Sequence, residues 1–244
     1  MKVIRPNCRS QFTAADFEFV SFVLNNSLPS QNHSPRSLFL LSHDAVSIDA
    51  MLDDPKLFRA LLESKKCVSV SLQFYFYVLV RQSLLREEIT SREIADYVAE
   101  VLAEFAAVSR LISSSSENHA PLEYVSDMIL EIEHLEGADQ FAMQSHIGNF
   151  ALFHSGLFPN RLQSRIERRG APGFQFYEDL GSAYFKLAGN HFLARQLELV
   201  DIFASLGEAF HITRIALNHL SEKLVFLETN RAVNQLFIEL DKPC

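Results

Sequence analysis

The chain has 244 residues, of which 48% are hydrophobic and 21% charged, a globular composition that argues against general disorder. Its formal net charge of −8 argues against a nucleic-acid partner, which would need a basic face. No segment has the roughly 18 uninterrupted apolar residues of a membrane span, and the N-terminus is too polar for a signal peptide. Three widely scattered cysteines favour a reducing compartment, so we expect a cytoplasmic protein.

The first half of the chain carries helix start signals. The sequence DDP at 53–55 predicts a helix that begins with an aspartate N-cap and a proline in the first turn. Residues 67–80 alternate between apolar and polar, which is typical of a strand. No second strong strand candidate can pair with them, and they run into a helix-favouring stretch, so we predict a buried helix there. Thr90 and Glu93 match a capping box ahead of an apolar stripe over 91–111.

The second half continues the helical spacing. Apolar stripes predict a helix over 121–135 and a single helix of about 45 Å over 196–227. The serine-rich stretch 113–120 is an inter-helix loop and a possible minor domain boundary. We therefore predict an all-α fold, a bundle of about seven to ten helices in which residues 1–244 form a single compact domain. The 21 Phe residues predict a Phe-rich core.

Two Glu-x-x-His pairs are the sharpest chemical signal in the sequence. They are Glu131 with His134, and Glu208 with His211. On a helix this spacing places a carboxylate and an imidazole on one face, where both can bind a metal ion. Lone carboxylates precede each pair: Glu104 (or Glu100) before the first, and Glu178 (or Asp179) before the second.

The order carboxylate, pair, carboxylate, pair resembles that of the ferritin-like superfamily over roughly residues 91–225, in spacing and not in the surrounding sequence. The resemblance implies a di-iron or di-manganese centre held by six ligands, which are Glu104, Glu131, His134, Glu178, Glu208 and His211. The alternative interpretation is that both pairs are ordinary polar residues, since they lie away from the apolar stripes of their helices.

Residues 141–158 place His146 and His154 on a face with large apolar side chains, opposite a face of small residues that lets another helix approach closely. Such histidines either bind a cofactor, for example a porphyrin-like ligand, or are core residues with hydrogen-bond partners. Tyr177 and Tyr184 share a helical face with Gly181 between them, and they either line a ligand cleft or pack in the core with polar tips at the surface.

Three hypotheses for function follow. The first is a helical binding or interaction protein without an identifiable catalytic centre, which forms a homo-oligomer through its helix faces. The second is the di-metal carboxylate protein or oxidoreductase. The third is a protein that binds a small apolar or porphyrin-like ligand in a Phe-rich cavity. The sequence contains no GxGxxG, P-loop, GxSxG or HExxH motif, and whether the protein is an enzyme stays open.

Overall fold

A computed structural model describes residues 3–25, 45–63, 70–114 and 125–226. Within these ranges the chain forms helices and no strand, which confirms the predicted all-α class. A short 3-10 helix, Arg9–Gln11, precedes twelve α-helices. They are α1 (Ala14–Asn25), α2 (Ala45–Leu52), α3 (Pro55–Glu63), α4 (Leu72–Arg86), α5 (Arg92–Ser114), α6 (Val125–Ile132), α7 (Gly137–Leu157), α8 (Pro159–Arg169), α9 (Phe174–Asn190), α10 (Phe192–Gln196), α11 (Val200–Glu208) and α12 (Phe210–Phe226). The number exceeds seven to ten because several helices are short: α10 has five residues, and α2 and α6 have eight each. Most of the serine-rich stretch 113–120 lies outside the described residues.

Helix α4 resolves the ambiguous segment in favour of a helix. Ser71 is its N-cap, and the Ser71 hydroxyl accepts the backbone N–H of Phe74. Every residue from Phe74 to Leu84 is buried. A helix that is buried on all sides needs no polar face. Its alternation of apolar and polar residues is therefore not evidence for a strand. Residues 67–69 of the segment lie outside the described part of the chain.

Helix α7 is the centre of the second half, and it contacts α5, α6, α8, α9 and α12. Its small residues allow the close approach that the sequence predicted. A Cβ at Gly148 would lie 3.0 Å from the ring of Phe185 on α9, and one at Gly156 would lie 2.8 Å from Leu217 on α12. The small face is buried, and the opposite face is mixed: Met143, Ile147 and Leu157 are buried there, while His146, Phe150 and His154 are partly buried.

The predicted long helix over 196–227 is wrong, because the structure divides it among α10, α11 and α12. The first break is a turn in which Glu198 adopts a positive φ of 58°. At the second break, the hydroxyl of Ser182 donates to the carbonyl oxygen of Gly207 at 2.6 Å. That bond from α9 satisfies a carbonyl at the end of α11, so the chain bends at Ala209 without leaving it unpaired.

The predicted helix starts are correct at one position and shifted at another. Asp54 caps α3 by accepting the N–H of Lys56 at 2.8 Å, as the sequence predicted. At the start of α5, however, the cap is Ser91 and not Thr90, because the Ser91 hydroxyl accepts the N–H of Ile94 at 3.2 Å. The carbonyl of Thr90 instead accepts a hydrogen bond from Arg81. In the described ranges, none of the helices has the length and apolar character needed to cross a membrane.

Candidate functional site

The six predicted metal ligands do not come together in the described part of the chain, where no three His, Cys, Asp or Glu side chains lie close enough to hold a metal ion. Both Glu-x-x-His pairs span the end of a helix. Helix α6 ends at Ile132, so His134 lies in the following turn, and both Glu131 and His134 are exposed. Glu208 is the last residue of α11, whereas His211 is the second of α12. The i, i+3 spacing therefore does not place either pair on one continuous helical face.

The lone carboxylates on α5 are engaged in other ways. Glu100 is buried, and both of its carboxylate oxygens accept from the side-chain amide of Gln11 at 3.0 Å. Glu104 is half-buried one turn later. Asp179, the alternative on α9, is exposed and accepts from Gln175 on the same helix at 2.9 Å. The contact of Glu100 holds the N-terminal segment against α5, and that of Asp179 lies within α9.

One contact among the predicted residues is realised. Glu178 on α9 and His211 on α12 meet, with Nδ1 of His211 2.9 Å from Oε1 of Glu178. The same carboxylate oxygen accepts Nε–H of Arg214 at 2.5 Å. The side chains of Glu178 and Arg214 are almost buried, while that of His211 is 64% exposed. The carboxylate thus contacts one nitrogen of an imidazole that is mostly exposed to solvent.

Arg214 connects this pair to the core of the bundle. Its guanidinium lies 5.0 Å from the ring centroid of Phe174 and donates to the side-chain oxygen of Asn218 at 2.5 Å. Asn218 in turn donates to the backbone carbonyl oxygens of Ser155 and Gly156, at 2.8 and 2.7 Å, near the end of α7. Carbonyls in the last turn of a helix lack helical partners. The network therefore joins α7, α9 and α12, and it includes the carboxylate that contacts His211.

The two histidines of α7 are surrounded by aromatic rings. His146 stacks on Phe105 with 5.7 Å between ring centroids. His154 lies 4.0 Å from Phe150 and 5.4 Å from Phe153. Burial, with Arg161 and Arg165 nearby, lowers the pKa of His154 to about 3, so its ring is neutral near pH 7. Phe rings thus surround both histidines, at the place where the sequence predicted a porphyrin-like ligand. At these centroid distances the rings pack directly against the imidazoles.

The suggested cleft between the two tyrosines is filled. A Cβ at Gly181 would lie 2.1 Å from Cε2 of Phe210, so the ring of Phe210 occupies the space beside the glycine. Tyr177 is buried, and burial raises the pKa of its phenol. Tyr184 is half-buried against a small cluster that contains Met128 and Ile147. Both tyrosines are thus packed against other side chains, Tyr177 buried and Tyr184 half-buried.

A charged network in the first half was not predicted from the sequence. The buried guanidinium of Arg81 lies 2.7 Å from Asp53, which also pairs with Arg92 at 2.6 Å. Asp49 extends the network, since its two carboxylate oxygens each lie 3.1 Å from an arginine, one from Arg92 and one from Arg9. An arginine inside the apolar run FYFYVLVRQSLL is a signal that could have revealed this network, because a buried charge requires a partner.

An aromatic stack leads from the core to the surface at the junction of α9 and α10. The fully buried ring of Phe141 stacks on His191 at 5.2 Å, and His191 lies 4.7 Å from the ring of Phe192. Phe192 is 60% exposed, and Leu187, one turn before His191, is 50% exposed. We name Leu187, His191 and Phe192 the α9–α10 corner. Its two apolar side chains, Leu187 and Phe192, are exposed to solvent.

The fold and these sites define a class, an all-α multi-helix bundle with Phe-rich aromatic clusters. No family model matches the chain, and no curated protein or solved structure matches it either.

Proposed function

We propose that this chain is a helical interaction protein that associates with a second copy of itself through the α9–α10 corner. The observation that carries the proposal is the exposure of Phe192, whose ring is held against His191 and, through it, against the core residue Phe141. Aromatic side chains fixed in this way lose little conformational entropy on binding, which is why they are enriched among the residues that dominate interface energies.

A second copy fits the surroundings of this corner. Exposed residues of opposite charge, Arg195 and Glu198, follow Phe192 along the chain. In a two-fold symmetric contact, each surface meets the same surface of the partner, so Arg195 of one copy can face Glu198 of the other. Leu187 and Phe192 would then pack across the axis as the apolar centre, with the charged pair at the rim.

Sedimentation velocity over a micromolar to near-millimolar concentration series tests the proposal. We expect the unmodified chain to shift from monomer to dimer and Phe192→Asp to remain monomeric, because a buried carboxylate at the centre of the contact is strongly unfavourable. The matched control is Phe22→Asp, since Phe22 on α1 is 66% exposed and lies in none of the ring contacts of the corner. A chain that is monomeric throughout, or an equal dimer in Phe192→Asp, would refute the proposal.

The proposed location is the cytoplasm. Its support is the scattered cysteines, of which Cys8 is a buried free thiol that donates to the carbonyl of Gln73 at 3.2 Å. Alkylation of the denatured, unreduced protein should modify all three cysteines; a disulfide in the native protein would contradict a reducing compartment.

A further inference from the structure

A pocket opens between the end of α4 and the second half of α12. Its volume is about 370 Å³, within the range of small-molecule sites, and it is lined by Ser83, Arg86, Glu87, His219, Glu222 and Lys223. Five of these six side chains are ionisable, so the pocket offers charged groups to a ligand.

Two cations of this pocket are held by one buried ring. The guanidinium carbon of Arg86 lies 5.0 Å from the ring centroid of Phe58, and Nζ of Lys223 lies 5.2 Å from it. Phe58 is only 3% exposed, so its position is fixed by the core. Contact with an aromatic face restricts both flexible side chains while leaving their N–H groups available as donors.

These cations differ from the other fixed arginines of the described ranges. Arg81, Arg92 and Arg214 each have a carboxylate oxygen at 2.5–2.7 Å. Arg86 and Lys223 have no ion pair with any residue of the described part of the chain, although Glu87 and Glu222 line the same pocket. The carboxylate of Glu87 is directed to Nδ1 of His219 at 3.1 Å.

We propose that this pocket binds the anionic group of a small molecule, a phosphate or a carboxylate, through Arg86 and Lys223. Each of these groups offers two or more oxygens, so it can accept hydrogen bonds both from the guanidinium of Arg86 and from the ammonium of Lys223. Ser83 forms the buried end of the pocket, and its hydroxyl already donates to the carbonyl of Leu79 at 2.9 Å. The site therefore holds the anion chiefly by its two cations.

The acidic neighbours limit what the pocket accepts. Glu222 and the carbonyl end of α4 repel negative charge, and Arg86 in the last turn of α4 offsets that helix end. A compact anionic group that contacts both cations is favoured, while a polyanion would place further charge against Glu222. We therefore expect the ligand to be a small metabolite with one anionic group and not a nucleic acid.

Titration calorimetry at constant ionic strength tests the proposal, with inorganic phosphate and acetate as separate probes. We expect saturable binding of at least one probe. The probe that binds more tightly shows whether the site prefers a phosphate or a carboxylate group. Arg86→Gln and Lys223→Gln should each weaken binding about tenfold or more, because each removes a charged hydrogen bond. Arg86→Lys should retain part of the affinity, since it keeps the charge.

The matched control is Lys186→Gln, which removes an exposed cation of α9 that does not line the pocket. It should bind the probe as the unmodified chain does, and circular dichroism should show all variants folded. Absence of saturable binding of both probes would overturn the proposal, as would equal weakening in Lys186→Gln, which would indicate nonspecific attraction. Dimerisation is measured separately, so failure of either proposal leaves the other intact.

Discussion

Replacement of Gly181 by alanine tests the packing between α9 and α12. The added Cβ would lie 2.1 Å from Cε2 and 2.3 Å from Cζ of Phe210. Carbon atoms in contact are normally about 3.5–4.0 Å apart, so the ring would have to move by about 1.5 Å. Phe210 is 2% exposed and its ring lies 6.1 Å from that of Phe185, so it has little room to move.

The expected net effect is destabilisation. Alanine in a helix interior is favoured over glycine by about 1 kcal/mol, whereas overpacking a filled core costs about 1–3 kcal/mol. An overlap with a buried ring belongs at the upper end of that range, so we expect Gly181→Ala to lower the free energy of unfolding by about 1–2 kcal/mol. For a chain of this size, that is a decrease in Tm of about 2–4 °C per kcal/mol.

Urea denaturation followed by circular dichroism at the helix band measures the difference. The matched control is Gly189→Ala on the same helix, where the nearest atom to the new Cβ is Cβ of Phe203 at 3.3 Å. There we expect a change within about 0.5 kcal/mol, because the propensity gain offsets a mild contact. Combining Gly181→Ala with Phe210→Leu should cost less than the sum of the two single changes. An unchanged or increased stability of Gly181→Ala would refute the packing described here.

Three further predictions concern buried polar groups. Asp16→Ala should lower the free energy of unfolding by about 2–4 kcal/mol, because the buried Asp16 accepts hydrogen bonds from Thr13 and Ser71. Urea denaturation measures the loss, and the control is Glu18→Ala, an exposed position on the same helix. A loss no larger than in the control would contradict this prediction. Arg81→Met should cost about 1.5–3 kcal/mol, because Asp53 loses one of its two arginine partners while Arg92 remains; in a double-mutant cycle, removing Asp53 as well should cost less than the sum of the two single changes. The pKa of His154, about 3 in the folded chain, lies below the value of about 6.5 expected when unfolded, so its stabilising contribution is complete above pH 6.5 and is lost as pH falls toward 3. The loss of stability between pH 7 and pH 4 should therefore be smaller in His154→Phe, and an equal loss in both proteins would show that His154 is not the group responsible.

The sequence by itself determined the helical class and much of the local structure. The stripe over 91–111 became α5, and Asp54 caps α3 as predicted, because caps and apolar periodicity act between residues a few positions apart. The same reasoning located the small face of α7, since the size of a side chain alone decides how closely another helix can approach.

Only the tertiary structure decided which residues meet across helices. The predicted pairs Glu131 with His134 and Glu208 with His211 rested on continuous helices, and both helices end inside the motif. The break at Ala209 depends on a hydrogen bond from Ser182, 25 residues away from Gly207 in sequence, and no local pattern contains that information. Glu178 meets His211 for the same reason: α9 and α12 are placed side by side by the packing of large side chains against glycines, which periodicity within one helix does not specify.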